Sequence, residues 1–301
     1  MNVFQKEIEN IAIERIQKFA KLAEKMGFDI CLGFSGGKDS QVAYDLCKRA
    51  GVPFKAYFNH SFESPTTLKF IKEKYPEVIW RRDYKYGFIE NIRKQGCLPT
   101  VQRAYCCGYY KHNPDYVDDC SIVGVRKAES QKRKSRTAVS IKNKTTKKKA
   151  GATISEYFKE SCQSVGTSSV IQLLPIVDWS DNEVWDYIHD HNLPINPEYQ
   201  HSKRVGCLVC PKADFTSNHV YLMKYPKLID AFIKARYGGG RDIDWYISSD
   251  EKDYSDDKVY YICRWLNHSF MPFNKTHQRL FEKVKKRYEE YHSKGVLSTP
   301  S

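Results

Sequence analysis

The sequence has no apolar run near the roughly 18 residues that a membrane-spanning helix needs, so we expect no membrane partner. It also lacks a secretory signal pattern, because residues 1–28 carry acidic residues through their apolar stripe and indicate an amphipathic helix. Ten cysteines without such a signal favour a reducing cytoplasm, where thiols pack in the core or bind metals.

The Walker pattern of kinases and GTPases is absent as well. Leu32 occupies the position of its first glycine, and Asp39 follows Lys38 where a serine or threonine is required. What is present is a short apolar run, then Ser35-Gly36-Gly37-Lys38-Asp39-Ser40, then a helical pattern. Glycines and the free N–H groups of a helix start suit an anion. A simple glycine turn capped by Ser35 is the alternative interpretation.

Apolar runs at residues 28–35, 52–59, 77–82, 121–125 and 170–176 are predicted strands. Helical patterns lie between them, at residues 38–50 and 66–75, and the chain after Val177 is mainly helical, most clearly at 181–192 and 276–292. This alternation predicts an α/β fold with a parallel sheet sandwiched by helices. We expect an N-terminal helix at 1–27, a nucleotide-binding domain at 28–212 and a helical C-terminal subdomain at 213–301.

The SGGKDS loop resembles the pyrophosphate-binding loop of the adenine-nucleotide alpha-hydrolases, a Rossmann-like superfamily that includes ATP pyrophosphatases, tRNA thiolation enzymes and phosphoadenylyl-sulfate (PAPS) reductases. Three later stretches are similar to the PAPS reductase family: GVRKAESQKR (124–133), PIVDWSDNEVWDYIHDHNLPINPEY (175–199) and SKRVGCLVC (202–210). The resemblance implies that the loop, with Gly124, Arg126, Ser130 and Arg133, binds ATP or PAPS/APS. Guanidinium groups match phosphate oxygens, although 124–133 can also be an exposed basic turn.

In the stretch 175–199 we expect Ser180 to cap a helix, Trp185 to lie on the same helix face as Ile188, and most residues to serve packing.

Four cysteines form two pairs, the adjacent Cys106-Cys107 and the spaced Cys207-Leu-Val-Cys210. Four thiolates are enough for zinc or an iron–sulfur cluster, and adjacent thiolates suit two irons better than one tetrahedral ion. The family resemblance also implies a [4Fe–4S] cluster, with zinc or four unligated thiols as alternatives. Arg103 and Lys111 flank the adjacent pair, so they either contact substrate phosphates or offset the charge of the cluster.

The remaining cysteines differ in their surroundings. Cys31, Cys47 and Cys120 lie in apolar stretches and are predicted core residues. Cys97 and Cys162 receive no assignment. Cys263 is predicted to be a buried helix residue rather than a nucleophile.

Two family features are missing. The reductases carry a C-terminal nucleophile in a Glu-Cys-Gly-Leu-His tail, whereas this chain ends HSKGVLSTPS. Residues 60–67, HSFESPTT, replace the family's Thr-Gly and Pro-Glu-Thr. These departures favour an ATP pyrophosphatase that adenylates a substrate for sulfur incorporation, with magnesium as cofactor and a sulfur-donor protein as partner. Lys38, Asp39, Arg126 and Arg133 are the predicted catalytic residues. The alternatives are a PAPS/APS reductase and a non-catalytic nucleic-acid-binding module.

The chain is strongly basic, with a formal charge of +13, which favours an anionic partner. Residues 127–149 contain ten of the cations and a single acid, Glu129. Such a run predicts salt-dependent binding of DNA or RNA, and a solvated loop without a partner is the alternative. Its polar composition predicts that residues 132–151 do not pack.

Overall fold

A computed structural model describes residues 3–82, 84–112, 120–141, 163–164, 171–213, 215–237, 258–267 and 273–295. The chain folds into two compact units. The first consists of Met1–His60, Ser64–Arg82 and Tyr110–Gly206, and the second of Ser61–Glu63, Asp83–Tyr109 and Cys207–Ser301.

The first unit contains one seven-stranded sheet in the order β3-β2-β1-β4-β7-β5-β6. The pairs β3–β2, β2–β1, β1–β4, β4–β7 and β5–β6 are parallel, and β5 pairs with β7 antiparallel. The strands are β1 Ile30–Gly33, β2 Lys55–Asn59, β3 Ile79–Arg81, β4 Cys120–Val123, β5 Val139–Ile141, β6 Gln163–Ser164 and β7 Ile171–Leu173.

Nine α-helices lie in the described part of the chain. Their bounds are α1 Val3–Met26, α2 Lys38–Ala50, α3 Pro65–Lys74, α4 Phe88–Gln95, α5 Asp181–Asp190, α6 Phe215–Lys224, α7 Lys227–Tyr237, α8 Lys258–Asn267 and α9 Lys275–Gly295. Short 3-10 turns cover Lys127–Glu129, Gln131–Arg133 and Pro197–Gln200, and a π-helical turn covers Cys107–Lys111.

The core of the first unit lies between the sheet and helices α1, α2 and α5. Leu32 of β1, Leu46 of α2 and Ile122 of β4 are fully buried in it. Burial of each such side chain stabilises the fold by about 1.5–3 kcal/mol. Helix α5 begins at its predicted cap, where the Ser180 Oγ accepts a hydrogen bond from the Glu183 N–H at 3.2 Å. The predicted α/β fold is confirmed, as are the five predicted strands, which are shorter than their apolar runs.

The second unit contains α4 and the helices α6 to α9, so the mainly helical C-terminal part is confirmed for the described residues. Phe62 stacks on Phe88 of α4 with ring centroids 4.4 Å apart, and Phe232 of α7 contacts the edges of both rings. Trp265 of α8 donates a hydrogen bond from its indole to the Pro99 carbonyl at 2.7 Å. Aromatic packing therefore joins the separate chain segments of this unit.

The prediction that residues 132–151 do not pack is wrong for residues 138–141. Ala138 and the whole of β5 are buried, and the Leu174 N–H donates to the Ala138 carbonyl at 2.7 Å. The short Ala-Val-Ser-Ile run has enough apolar surface to pair with β7, and the surrounding lysines concealed this in the composition. Residues 142–151 lie outside the described part of the chain.

Candidate functional site

The predicted anion-binding loop lies at a reversal of strand order. Strand β1 has β2 on one side and β4 on the other, and the chain leaves β1 into residues 34–37 and helix α2. In open α/β sheets, ligands bind in the crevice that forms outside the carboxyl ends of strands at such a reversal. The topology therefore brings the loop after β1 and residues 124–126, which follow β4, to one candidate site.

Two glycines are required by the close packing at this point. Gly36 has a φ of +72°, and a Cβ there would lie 2.9 Å from Cγ1 of Ile71. A Cβ on Gly124 would lie 2.3 Å from the backbone oxygen of Asp39, so β4 approaches the start of α2 closely. Gly37 differs, because its φ of −85° is open to any residue and its Cβ would make contacts of 3.4 Å or more. The special backbone conformation thus belongs to Gly36.

Several loop N–H groups have partners within the protein. The Ser35 N–H donates to the Ser40 Oγ at 3.1 Å, and the Gly37 N–H donates to the Ser35 Oγ at 3.3 Å. The Lys38 N–H, at the first turn of α2, donates to the Tyr199 hydroxyl at 2.7 Å. Burial raises the pKa of Tyr199, so this hydroxyl stays neutral. A neutral oxygen therefore occupies a position at the helix start where an anion is favoured.

Four charged side chains form an ion-pair network around the loop. The Lys38 Nζ lies 3.0 Å from both Asp39 Oδ2 and Asp181 Oδ1. Arg126, which is 1% exposed, donates from Nε to Asp39 Oδ1, from Nη2 to Asp181 Oδ1 and from Nη1 to the Trp179 carbonyl. The Lys38 ammonium and the Arg126 guanidinium lower the pKa of Asp181. Two cations and two carboxylates thus balance each other.

Arg133 and Ser130 lie beside this network. Arg133 forms an ion pair with Glu129, whose carboxylate also accepts from the Arg126 N–H at 3.0 Å. Burial lowers the pKa of Arg133, and so do the nearby guanidinium groups of Arg204 and Arg136. Ser130 is exposed, and its carbonyl accepts from the Arg133 N–H at 2.9 Å. The phosphate-binding role of these residues stays a prediction.

A cleft of about 820 Å³ opens next to the network. Lys38 and Asp181 line it on one side, and the turn and loop 195–203 form another wall. The ring of Tyr199 packs edge-on against Trp185, with centroids 5.0 Å apart. The cleft joins charged groups to an aromatic surface, as small-molecule sites do.

The four cysteines predicted to bind a metal all belong to the second unit. Cys207 pairs with Glu63 in an isolated β-bridge, and its Sγ lies 3.4 Å from the Ser61 Oγ. Asn218 of α6 holds the backbone of Cys210, accepting from its N–H at 2.9 Å and donating to its carbonyl at 2.8 Å.

The thiols of this set influence one another. A hydrogen bond with Cys107 raises the pKa of Cys106, and burial and the charges of Cys107, Cys207 and Cys210 raise it further. Among the described residues, however, no three His, Cys, Asp or Glu side chains have the arrangement of metal ligands. The donor set fits a thiolate-bound metal by number and chemistry.

The two basic residues that flank the cysteine pair are divided between the units. Arg103 is exposed and donates to the Gln95 Oε1 at 3.3 Å, and the Lys111 carbonyl accepts from the Asn59 side chain at 3.1 Å. Their predicted role in binding the nucleotide stays a prediction.

The prediction that Cys31, Cys47 and Cys120 are core residues is confirmed, and Cys263 is fully buried in α8. Cys97 is partly exposed, and Cys162 lies outside the described residues.

Sequence reasoning missed two members of the site, Asp181 and Tyr199. Both lie in the stretch 175–199, to which only packing was assigned. Asp181 follows the Ser180 cap directly, and an acid in the first turn of a helix is usually explained by the helix dipole. The Asn-Pro-Glu-Tyr turn was the only signal for Tyr199.

The described part of the basic segment 127–149 ends at Ile141, so the lysines at 142, 144 and 147–149 lie outside it. None of the helices in the described residues combines the length and the hydropathy of a membrane span.

Comparison with known proteins gives consistent results. Residues 29–213 match the family model of the phosphoadenosine phosphosulfate reductase domain. An uncharacterized protein of Methanocaldococcus jannaschii, MJ0066, is 28% identical over 73% of this chain and 44% of its own length. A second from that organism, MJ0973, is 26% identical over 79% of this chain and 54% of its own length. The chain thus spans about half the length of these two relatives.

Sulfate adenylyltransferase subunit 2 of Vibrio parahaemolyticus is 27% identical over 57% of this chain and 60% of its own length. The protein of the same name from Shewanella amazonensis is 25% identical over 64% of this chain and 67% of its own length.

Proposed function

The chain belongs to the phosphoadenosine phosphosulfate reductase domain family, and from this premise we propose that it is a nucleotide-utilising enzyme of sulfur metabolism that binds an adenine nucleotide at residues 35–40. More specifically, we propose adenylyl transfer from ATP. The similarity to sulfate adenylyltransferase subunits supports the use of a nucleotide in sulfur metabolism. The ion-pair network of Lys38, Asp39, Arg126 and Asp181 is the observation that carries the proposal.

In this reaction an acceptor oxygen attacks the α-phosphorus of ATP. The bond from the α-phosphorus to the bridging oxygen breaks, and pyrophosphate leaves with the electron pair. The acceptor then carries AMP, and a sulfur nucleophile from a donor protein displaces that AMP together with the oxygen. The loop 35–40 would hold the leaving pyrophosphate, because charge develops on that group in the transition state.

The network supports this role because its cations are already desolvated and held in position. Lys38 is buried at 7% exposure and Arg126 at 1%. A polyphosphate can take over the Lys38 ammonium from the carboxylates without moving the backbone. The carboxylates of Asp39 and Asp181 would then hold a magnesium ion, since oxygen ligands suit this metal. Magnesium, when bound, neutralises phosphate charge.

The cysteine set supports a second proposal, that Cys106, Cys107, Cys207 and Cys210 hold an iron–sulfur cluster. The mutual effect of the four thiols on the pKa of Cys106 is the observation in its favour. Such a cluster supplies redox or sulfur chemistry when it is bound. The same set favours a PAPS/APS reductase as the second candidate function. The burial of Cys263 argues against this candidate, since a nucleophile must reach its substrate.

A product assay separates these functions. Anaerobically purified protein is incubated either with ATP and magnesium or with PAPS and a thiol reductant, and the products are resolved by chromatography. Adenylyl transfer predicts AMP and pyrophosphate from ATP, whereas reduction predicts sulfite from PAPS. A Lys38→Gln variant should lose either activity, and Lys48→Gln, with the same charge change on an exposed part of α2, should keep it. Release of ADP and phosphate would contradict the proposal.

A further inference from the structure

A second group of cations lies beside the loop after β1. Arg133 and Arg136 follow β4 on a 3-10 turn and its continuation, where the Arg136 N–H donates to the Arg133 carbonyl at 3.0 Å. Arg204 belongs to the loop whose residues 202 and 203 line the cleft together with Lys38. This loop also borders the anion-binding loop, because a Cβ on Gly37 would lie 3.6 Å from the Cβ of Val205.

The charges of these three arginines are incompletely matched. Glu129 is paired with Arg133, and Asp39 and Asp181 are shared by Lys38 and Arg126. Within the described residues, neither Arg136 nor Arg204 has an ion-pair partner.

One atom of the group has no hydrogen-bond partner at all. The Nη1 of Arg136 is buried, and no atom of the described residues accepts from it. Leaving a buried charged donor unsatisfied costs more than the roughly 1–3 kcal/mol of a neutral one. Burial lowers the pKa of the Arg133 guanidinium, and the charges of Arg204 and Arg136 lower it further. A buried donor without an acceptor, beside the charges of two further arginines, suits an anionic ligand.

We propose that Arg133, Arg136 and Arg204 form an oxyanion subsite that is separate from the loop 35–40 and binds the phosphate or sulfate group of a second substrate. Guanidinium groups match tetrahedral oxyanions because they donate two parallel hydrogen bonds. The inference deepens the proposed function, on which it rests, since it names the acceptor of the reaction as an anion. Among the described residues around the loop, Lys38 and Arg126 are paired with carboxylates, whereas Arg136 and Arg204 are not.

Two sources can supply the oxyanion. One is a small ion such as sulfate, and the other is the phosphodiester backbone of a nucleic acid. Both would occupy the same three guanidinium groups. They differ in size and in salt dependence, because a polyanion releases several counterions on binding.

The test measures sulfate binding and nucleotide binding separately on the full chain, by calorimetry with sodium sulfate and with a non-hydrolysable ATP analogue. We expect sulfate to bind in the presence of saturating analogue. Arg136→Gln and Arg204→Gln should each weaken sulfate binding about tenfold or more, and change the affinity for the analogue by less than about twofold. Lys134→Gln is the matched control, because it removes one charge from an exposed side chain of the same segment and should leave sulfate binding unchanged.

Two results would overturn the inference: sulfate that competes with the analogue for one site, or sulfate affinity unchanged in both arginine variants. Arg204 is exposed, so its variant remains informative even if Arg136→Gln fails to fold. Loss of analogue binding in the wild type, with sulfate binding intact, would instead refute the proposed function alone. A single-stranded 12-mer oligonucleotide distinguishes the sources: if it displaces sulfate with a steep salt dependence, the occupant is a phosphodiester, and if it does not, the occupant is a small oxyanion.

Discussion

In the loop after β1, the N–H groups of Ser35, Gly37 and Lys38 donate to oxygens of the protein, whereas the thiol of Cys106 hydrogen-bonds with another thiol. The first site is complete without its ligand, because each of these donors has an acceptor and its cations have carboxylates. The second consists of groups of one kind, which repel each other once they ionise. The difference teaches that the donors and cations of the loop are satisfied within the protein, while the cysteine set brings together groups whose charges disfavour one another.

The largest effect should come from the cysteines. Replacing Cys106, Cys107, Cys207 or Cys210 singly with serine should remove essentially all bound iron and acid-labile sulfide, because a cluster that organises its own ligands tolerates no missing one. Metal analysis of anaerobic preparations measures this. Cys97→Ser, in the same unit, is the control and should keep the full metal content. One zinc per chain without sulfide would replace the cluster by a structural zinc site.

The second-largest effect should come from Gly124, where the chain after β4 packs closely against the start of α2. Gly124→Ala puts a Cβ 2.3 Å from the backbone oxygen of Asp39, so β4 and α2 must move apart. We expect the free energy of unfolding to fall by about 1–3 kcal/mol and nucleotide affinity to fall with it. Urea denaturation and calorimetry measure the two quantities. Gly87→Ala has open space around its Cβ and should change neither one. Equal stability of both variants would mean that the close approach is not a constraint.

Replacing Lys38, the cation of the loop, should weaken ATP binding and leave the stability of the fold nearly unchanged. Lys38→Gln should weaken ATP binding roughly 10- to 100-fold, since a charge-assisted hydrogen bond contributes about 1.5–3 kcal/mol. Fluorescence titration with a labelled ATP analogue measures this. The free energy of unfolding should change little, because the partners of Lys38 keep Arg126. A variant that binds ATP normally would remove residues 35–40 from the nucleotide site.

Tyr199→Phe tests whether the Tyr199 hydroxyl occupies the position of an anion at the loop in the unliganded protein. Without the hydroxyl, the Lys38 N–H loses its acceptor, so the unliganded protein should lose about 1 kcal/mol of stability. An anion that restores the missing acceptor should then bind several-fold more tightly than in the wild type. Titration with pyrophosphate measures the change. Weaker pyrophosphate binding would show instead that the Tyr199 hydroxyl donates to the ligand.

The smallest effect is on pH dependence. Lys38 and Arg126 lower the pKa of Asp181, so its charge stabilises the folded state above the ordinary aspartate pKa of about 3.9. This contribution is lost as the pH falls through the lowered value. The difference in unfolding free energy between wild type and Asp181→Asn should therefore begin to shrink as the pH falls below about 3.9, and keep shrinking through the lowered pKa. Because the side chain is 69% exposed, the difference should be modest.

Local pattern was sufficient to predict much of the fold. The strand, glycine loop and helix at residues 30–50 follow from a short apolar run, two glycines and helical spacing, and the Ser180 cap follows from residue type. The pairs of residues that contact each other in the site could not be predicted in this way. Asp39 and Arg126 are 87 residues apart, and Lys38 and Tyr199 are 161 apart, so only tertiary packing brings them together.

Strand β5 was missed for a different reason. It has three residues, and its neighbours in sequence are basic, so composition outweighed the short apolar pattern. Likewise, the cysteine spacing predicted a metal site, but spacing alone does not determine the relative positions of the four thiols.

Strand β5 has one further consequence for the evolution of this protein. Its pairing places Val139 opposite Leu173 and Ile141 opposite Ile171, so a shift by one residue would turn buried side chains outward. Arg136 lies three residues before this fixed point. Insertions between Arg136 and β5 would shift Arg133 and Arg136 relative to the sheet without disturbing strand pairing. Insertions after Ile141 would leave these arginines in place. The position of the arginines can thus change through the length of this short segment, while the pairing of β5 with β7 and the loop after β1 stay the same.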